Sequence, residues 1–342
     1  MPLFPLTAGL TIANSVVSDT FNEFIPFQPD RPGSSLEREY TNEHSAFIDV
    51  NGARIHYRDE GPTDTDAADT PTLLMLHGTY SSLHTWDGWA DQLADEIRFI
   101  RLDMPGFGLT GPRRDGDHSL EVLIETVEAF CDELGLEDIA VGGNSLGGAV
   151  AWRFATDRPD IVSKLVLMDA GGATLLSNLS ENYRALGTDV FPRYLTPRVV
   201  IRLALKDAYS DTAAVTPELV NRYHDLLLRS GNRRAVMEIA SRYKEDHMEE
   251  SSSEMLNTNT PVLPSSCDAS PDVRDTYDIC DIDVPTLFQW GEDDTWLPVE
   301  FGRELADCVD DNQFVVYEGV GHVPMEEAPE RTAADAYRFL QQ

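Results

Sequence analysis

Gly143-Asn144-Ser145-Leu146-Gly147 is the stretch of this 342-residue chain that decides its fold. It follows an apolar run at residues 139–141 and precedes a run with helical spacing at residues 148–154. A sharp turn from a strand into a helix exposes one serine hydroxyl at the edge of a parallel sheet. Glycines suit both ends of such a turn, because a side chain there would collide with neighbouring backbone. Ser145 is therefore the candidate nucleophile, at a helix start whose free N–H groups can stabilise an anion.

Two later strand-like runs each lead to a residue type that a serine nucleophile needs. Residues 284–290 run into Gly291-Glu292-Asp293-Asp294, and residues 313–317 run into Gly321-His322. A serine hydroxyl is a weak nucleophile at neutral pH and needs a base within hydrogen-bond reach. Imidazole suits this task because its unperturbed pKa is about 6.5. The chain order serine, aspartate, histidine differs from the orders in chymotrypsin and subtilisin.

The chain resembles the α/β-hydrolase superfamily from about Phe47 to its end. The resemblance rests on five motifs in the family's order, which are His77-Gly78, Asp103-Met104-Pro105-Gly106-Phe107-Gly108, Gly143-Asn144-Ser145-Leu146-Gly147-Gly148, Trp290-Gly291-Glu292-Asp293-Asp294 and Gly321-His322-Val323-Pro324. Five ordered motifs are far more specific than any one of them. The resemblance implies the α/β-hydrolase fold, with a mostly parallel sheet, helices on both faces and an inserted helical cap.

Asp294 is the predicted acid of the triad. The family pattern Gly-x-x-Asp-x-x-x-Pro fits Gly291, Asp294 and Pro298. Asp293 is then expected to be a solvated turn residue or a capping group. Asp169 also ends a strand-like run, and some relatives place the acid near that position, so it stays open as an alternative. The acid holds the imidazole of the base in the correct tautomer and stabilises the imidazolium.

His322 is the predicted base, and two backbone N–H groups form the predicted oxyanion hole. Among the eight histidines, His322 follows a strand-like run and comes after the acid in the chain. An oxyanion needs preorganised N–H donors in a dry site. Leu146, directly after Ser145, is expected to supply one donor. By resemblance Thr79, which follows the His-Gly motif, supplies the other, with Tyr80 as the fallback.

The sequence divides into three parts of different character. Residues 1–45 hold Pro, Ser and Asp with little periodicity and are predicted to be a loosely ordered N-terminal segment. Residues 46–170 and 284–342 alternate strand-like and helix-like runs, which predicts a parallel sheet covered on both faces. Residues 171–283 interrupt this alternation and are predicted to be a helical cap insertion, with a long return loop over residues 249–275.

The predicted cap is expected to control which substrate is accepted. Its helices would close over the catalytic serine, exclude water and supply apolar pocket surface. Leu203 and Leu226 lie in stretches with helical spacing. We expect their truncation to change the acyl-chain preference, unless either side chain packs within the cap itself.

Acidic residues greatly outnumber basic ones along the whole chain. There are 60 Asp and Glu against 26 Lys and Arg, which gives a net charge of -34. A dispersed negative surface favours solubility at high salt, where charge repulsion is screened, so we expect a halophilic source. The same charge argues against nucleic acid and anionic membrane as partners. Four cysteines without metal-ligand spacing favour a reduced, cytoplasmic protein that binds no metal.

Ser145 distinguishes this chain from the dehalogenases and epoxide hydrolases of the superfamily, whose nucleophile is Asp. We predict a cofactor-free serine hydrolase that cleaves small to medium carboxylic esters through an acyl-enzyme. A carbon–carbon hydrolase of ring-fission diketones is an alternative, because residues 143–149 resemble the corresponding motif of those enzymes. Against it, Val323 stands where those enzymes often have Trp. A non-enzymatic ligand receptor that retains the triad is the other alternative. The expected partner is a small-molecule ester or related carbonyl compound, and no particular oligomeric state is predicted.

Overall fold

The fold is built on one eight-stranded sheet. A computed structural model describes residues 28–62, 70–171, 196–239 and 279–342. The strand order is β1-β2-β4-β3-β5-β6-β7-β8. The strands are β1 (Ser45–Val50), β2 (Ala53–Glu60), β3 (Thr72–Leu76), β4 (Arg98–Leu102), β5 (Ile139–Asn144), β6 (Val162–Met168), β7 (Thr286–Gly291) and β8 (Asn312–Tyr317). The β1–β2 and β2–β4 pairs are antiparallel and all the others are parallel, which confirms the predicted sheet.

The described ranges contain the helices of the core and of the insertion. They are α1 (Gly33–Tyr40), α2 (Asp87–Leu93), α3 (Leu120–Leu134), α4 (Leu146–Asp157), α5 (Arg198–Ala208), α6 (Pro217–Leu227), α7 (232–239), α8 (Val299–Asp307), α9 (Pro324–Glu327) and α10 (Pro329–Leu340). Every residue of β5 and β7 is buried, and a strand buried along its whole length is covered on both faces. No helix in the described ranges is both long enough and apolar enough to cross a bilayer.

The first hairpin forms where the sequence predicts it. An Asn-Gly pair between two alternating runs is a strong signal for a two-residue turn. Asn51 has a φ of 43° and Gly52 a φ of 76°, and Val50 pairs with Ala53 across the turn. A turn with positive φ at both central residues matches the right-handed twist of the strands it joins. This hairpin sets the register of β1 on β2 at the edge of the sheet.

The prediction of a loosely ordered segment over residues 1–45 is wrong for its last third. Residues 33–40 form helix α1, and Leu36 on that helix is fully buried against Leu109 and Leu226. Tyr40 also donates a 3.0 Å hydrogen bond to Asp225. The helix has few apolar residues, so its order comes from tertiary contacts that local periodicity does not report. Residues 1–27 lie outside the described part of the chain.

Three helices lie in the described part of the segment between β6 and β7, where the sequence predicts an insertion. Helices α5, α6 and α7 lie within residues 196–239, and the predicted return loop at residues 249–275 is outside the described ranges. Leu203 on α5 is 62% exposed, whereas Leu226 on α6 is buried against α1. Leu226 therefore packs against another helix, which corresponds to the exception stated above for a side chain that packs within the cap, and Leu203 is exposed in the described structure.

Candidate active site

Ser145 lies on a strained turn between β5 and α4. Its backbone has a φ of 53° and a ψ of -120°, which is an unusual conformation for a residue with a side chain. A Cβ at Gly143 would lie 2.3 Å from the carbonyl carbon of Gly147, and one at Gly147 would lie 2.4 Å from the Leu76 carbonyl oxygen. Only glycine fits at these two positions. The turn thus has the geometry that the opening motif predicts.

Backbone contacts hold Ser145 at the carboxyl ends of the central strands. Its N–H lies 3.1 Å from the carbonyl oxygen of Met168 and 3.2 Å from that of Asp169. The residue is only 2% exposed, and its hydroxyl has no hydrogen-bond partner within the described residues. A buried hydroxyl without a partner is uncommon in folded proteins, and here it leaves the Ser145 oxygen without a competing hydrogen bond among the described residues.

Asp294 and His322 form a buried, hydrogen-bonded pair. His322 Nδ1 lies 2.7 Å from Asp294 Oδ2, and the other carboxylate oxygen accepts hydrogen bonds from the N–H groups of Trp296 (2.7 Å) and Leu297 (3.0 Å). Three donors therefore fix this carboxylate. An aspartate that accepts from Nδ1 selects the tautomer whose Nε2 is free to act as a base. The indole of Trp296 packs on the imidazole, with ring centroids 4.8 Å apart.

The neighbouring aspartate points elsewhere. Asp293 Oδ2 accepts a 2.6 Å hydrogen bond from the hydroxyl of Ser210 at an exposed position. Its backbone N–H is bonded to the carbonyl oxygen of Val320. This geometry fits the turn role that the sequence indicated for Asp293, and it leaves Asp294 as the carboxylate that contacts the imidazole.

The base and the nucleophile turn are joined through Asn144. Its side-chain amide donates to the backbone carbonyl oxygen of His322 at 3.0 Å and to that of Met168 at 3.2 Å. The residue before the nucleophile thereby ties the ends of β5 and β6 to the loop that carries the imidazole. The sequence contains this residue in its most informative motif, but nothing in the motif indicates where the amide points.

The loop after β3 lies over the nucleophile. A Cβ at Gly78 would be 3.2 Å from the Cβ of Ser145, so the backbone leading to Thr79 passes directly beside it. Tyr80 has a φ of 62°, which is a further strained position next to the site. Leu146 is the first residue of α4, where a backbone N–H has no intrahelical acceptor. These positions are compatible with the two predicted oxyanion donors.

His77 supports this loop and is not placed as a base. Its Nδ1 lies 2.8 Å from the carbonyl oxygen of Gly78, and its Nε2 accepts from the N–H of Met104 at 3.0 Å. One ring nitrogen therefore donates and the other accepts, which requires the neutral imidazole. Burial lowers the pKa of His77 and keeps it in that form. The arrangement fixes the loop that precedes Thr79.

Glu327 ties the base loop to the insertion. One of its oxygens accepts from the N–H of Gly321 at 2.8 Å, and the other accepts from the N–H groups of Ser210 (2.8 Å) and Asp211 (3.3 Å). His322 in turn donates its own N–H to the carbonyl oxygen of Ala208 at 2.8 Å. The sequence contains no signal for these contacts with residues 208–211.

Asp169 lies beside the acid–base pair. It is fully buried, and its Oδ1 accepts a 2.9 Å hydrogen bond from the N–H of Gly291. Its Oδ2 meets no N–H or O–H donor among the described residues, and one of its carboxyl oxygens lies within 4.8 Å of an oxygen of Asp294. Burial, together with the negative charge of Asp294, raises the pKa of Asp169 well above its usual range.

These three residues also form the one group in the described ranges with the composition of a metal site. One ligand atom from each of Asp169, Asp294 and His322 lies within 4.8 Å of the other two. The 2.7 Å separation between His322 Nδ1 and Asp294 Oδ2 is that of an N–H···O hydrogen bond. A proton therefore occupies the space between them, and the donor set does not have the geometry of an ion held between these two atoms.

The chain belongs to the α/β-hydrolase family. A family profile for the alpha/beta hydrolase fold matches residues 71–329, which is most of the chain. The match confirms the family resemblance seen in the five sequence motifs. It also places the chain among hydrolases.

Relatives and solved structures include carbon–carbon hydrolases and esterases. The 2-hydroxy-6-oxononadienedioate/2-hydroxy-6-oxononatrienedioate hydrolase of a Pseudomonas species is 26% identical over 295 residues, which is 81% of this chain and 90% of that protein. A thermophilic esterase from Thermogutta terrifontis is 23% identical, with a TM-score of 0.63 over 86% of this chain and 98% of the esterase. A meta-cleavage product hydrolase from Pseudomonas fluorescens IP01 is 22% identical, with a TM-score of 0.66 over 88% and 99% of the two chains. The two structural likenesses show the shared fold.

Proposed function

We propose that this protein is a serine hydrolase that cleaves small to medium carboxylic esters through an acyl-enzyme. The observation that carries the proposal is a strained turn with a buried, unpartnered Ser145 hydroxyl, joined by Asn144 to a hydrogen-bonded Asp294–His322 pair. A nucleophile, a base and a group that orients the base are the three parts that acyl transfer requires. The site needs no metal or cofactor for this chemistry.

The proposed mechanism uses the Ser145 hydroxyl, which has no hydrogen-bond partner among the described residues, and Nε2 of His322, whose Nδ1 is bonded to Asp294. His322 Nε2 takes the proton of Ser145 Oγ as that oxygen attacks the ester carbonyl carbon. The negative charge moves to the carbonyl oxygen, where the backbone N–H groups of Leu146 and Thr79 stabilise it. The imidazolium gives its proton to the leaving alcohol, and the acyl group stays on Ser145. A water molecule then repeats the sequence of steps, with His322 as its base, and releases the acid.

A carbon–carbon hydrolase is the second candidate, and one finding favours it. The relative that cleaves 2-hydroxy-6-oxononadienedioate is similar over four fifths of this chain. Against it, this chain has Val323 after the base, where the resemblance leads one to expect Trp. An activity screen with nitrophenyl esters of increasing acyl length, run beside a ring-fission diketone, separates the two candidates. Faster cleavage of the diketone than of every ester would favour the second.

A ligand receptor is the third candidate, and the same screen addresses it. A receptor would retain one equivalent of ligand and turn over slowly or not at all. A fluorophosphonate probe reports on the nucleophile independently of the substrate, because it reacts with an activated serine hydroxyl. Labelling without turnover of any ester or diketone would favour the receptor.

The cap, the cellular location and the source of the protein are also proposals. We propose that residues 171–283 form a cap over Ser145, since α6 reaches the oxyanion loop through a 3.3 Å contact between Tyr223 Oη and Ser81 Oγ.

We propose a cytoplasmic location from the cysteine pattern and a halophilic source from the net charge of -34. The unfolding temperature should rise from low to multimolar KCl as the repulsion is screened. A flat response would contradict the halophilic proposal.

A further inference from the structure

We propose that Asp169 is a neutral carboxylic acid at neutral pH. Its proton is donated in a hydrogen bond to the carboxylate of Asp294, and this bond positions Asp294 as the acid of the triad. The inference rests on the proposed function for its catalytic consequence. Its structural basis is a pair of buried carboxyl groups, in the segments that follow two adjacent strands, with an oxygen of each within 4.8 Å of the other. Two carboxylates this close cannot both ionise at low cost in a buried site.

The distribution of donors decides which carboxyl holds the proton. Asp294 accepts three hydrogen bonds from Trp296, Leu297 and His322, and donors of this kind stabilise the charged form. Asp169 accepts only one, from Gly291, and its Oδ2 has no donor among the described residues. A proton on Oδ2 would satisfy that oxygen and give Asp294 a fourth donor. The charge therefore belongs on Asp294 and the proton on Asp169.

The other charged groups around Asp169 lead to the same assignment. Glu327, from α9, adds a second negative charge that disfavours ionisation of Asp169. His322, from the loop after β8, is the only basic side chain in the cluster, and its Nδ1 is already bonded to Asp294. Gly291, at the end of β7, contributes a single N–H. Among the described residues, the charged groups that act on Asp169 are the carboxylates of Asp294 and Glu327.

A neutral Asp169 has a defined effect on the base. The hydrogen bond that it donates draws charge away from Asp294, so the imidazolium of His322 is stabilised less than it would be beside an unshared carboxylate. Asp169 acts through Asp294 and does not touch the reacting atoms, so it is a positioning residue.

Asp169→Asn is the matched variant that tests the assignment. Its amide can still accept from Gly291 and donate to Asp294, it carries no charge, and asparagine tolerates the positive φ of 40° at this position. We expect kcat/KM within about threefold of the wild type and an unchanged acidic limb of its pH profile. If Asp169 is instead ionised, the substitution removes a negative charge near His322, and the acidic limb moves to lower pH. That shift would overturn the proposal.

Asp169→Ala removes the donor itself. Losing a hydrogen bond to a charged group should lower kcat/KM by about tenfold and move the acidic limb to higher pH, because Asp294 then stabilises the imidazolium more strongly. An activity loss with no shift of the limb would show a merely structural role. Should the alanine variant not fold, the asparagine variant and the spectroscopic measurement still test the proposal.

The spectroscopic measurement detects the proton directly and needs no activity. Protein containing carboxyl-¹³C aspartate should show an infrared C=O stretch of a protonated aspartic acid at pH 7. Asp169→Asn should abolish that band, and Glu327→Gln should leave it, because glutamate is unlabelled. Absence of the band in the wild type would overturn the proposal even if hydrolysis is observed. If the band is present but no substrate is hydrolysed, the proton assignment is supported and the proposed function is contradicted.

Discussion

The side-chain amide of Asn144 donates a 3.0 Å hydrogen bond to the backbone carbonyl oxygen of His322. The same amide donates to the carbonyl oxygen of Met168, so one group joins the ends of two parallel strands to the base loop. The distance between the nucleophile turn and the imidazole therefore depends on a residue that needs no direct contact with substrate. Catalytic groups must be held within a fraction of an ångström for acyl transfer, which makes this bond a functional constraint.

Asn144→Asp should reduce kcat/KM by at least about tenfold while the protein remains folded. The substitution removes the donors and places a carboxylate oxygen against two carbonyl oxygens, so the base loop moves away from the turn. Asn312→Asp is the matched control, because Asn312 also donates to two carbonyl oxygens, those of Ala306 and Val309, far along β8 from the base. Both variants should lower the unfolding temperature, and only the first should lower kcat/KM. Equal losses of activity would contradict this account of Asn144.

Asp294→Asn should lower kcat by about four orders of magnitude, since the amide can hold the wrong imidazole tautomer. Asp293→Asn is its control, one residue away and bonded to the exposed Ser210 hydroxyl. It should leave kcat within about twofold of the wild type. Steady-state kinetics on one nitrophenyl ester measure both. A larger effect at position 293 would move the acid to that residue and require the turn to be realigned.

Glu327→Gln should lower kcat more than it changes KM. The carboxylate accepts from Gly321 and from two N–H groups of the insertion, and an amide has only one oxygen to meet them. The loop that carries His322 then loses its tie to residues 208–211, and we expect kcat to fall by about tenfold. Glu330→Gln, on an exposed position of α10, is the control and should have no effect. An unchanged kcat would show that Glu327 does not hold the base loop.

Asp103 should make a contribution to stability that is lost in acid. Burial acts to raise its pKa, but the hydrogen bond from His56 opposes burial, and the pKa is held well below the usual range. The folded state therefore favours the charged form. This contribution is present above the unfolded pKa of about 3.9 and declines as the pH falls below it.

Asp103→Asn tests this linkage. The variant should unfold at a lower temperature than the wild type at pH 7. We expect its free energy of unfolding to be lower by about 2 kcal/mol, because the N–H groups of Leu83 and Leu109 no longer donate to a charged carboxylate. The difference between the two proteins should narrow as the pH is lowered from 5 to 3. A difference that does not change with pH would mean that Asp103 is not held in its charged form by the fold.

The sequence predicts much of the fold because the relevant signals are local. The Asn51-Gly52 pair indicates a hairpin through its backbone conformation, and the glycines around Ser145 indicate a turn that admits no side chain. Alternation of strand-like and helix-like runs is enough to predict a parallel sheet. These features depend on residues close together in the chain, so they are visible without a structure.

The parts that the sequence misses depend on contacts between distant residues. Helix α1 is ordered by Leu36 packing against Leu109 and Leu226, which are far apart in the chain. Helical spacing places Leu226 on an apolar face, but it does not tell whether that face meets substrate or another helix. The proximity of Asp169 to Asp294 likewise arises from the pairing of β6 with β7. A single sequence contains no signal for any of these pairings.

The most direct test of the central claim is the site of covalent labelling by a fluorophosphonate probe, located by mass spectrometry of the digested protein. The wild type should carry the label at Ser145 and nowhere else, and Ser145→Ala should carry none while retaining the wild-type unfolding temperature. Asp294→Asn should label slowly, and Asp293→Asn at the wild-type rate. Labelling of the wild type at another serine, or undiminished labelling of Ser145→Ala, would contradict the assignment of Ser145 as the nucleophile.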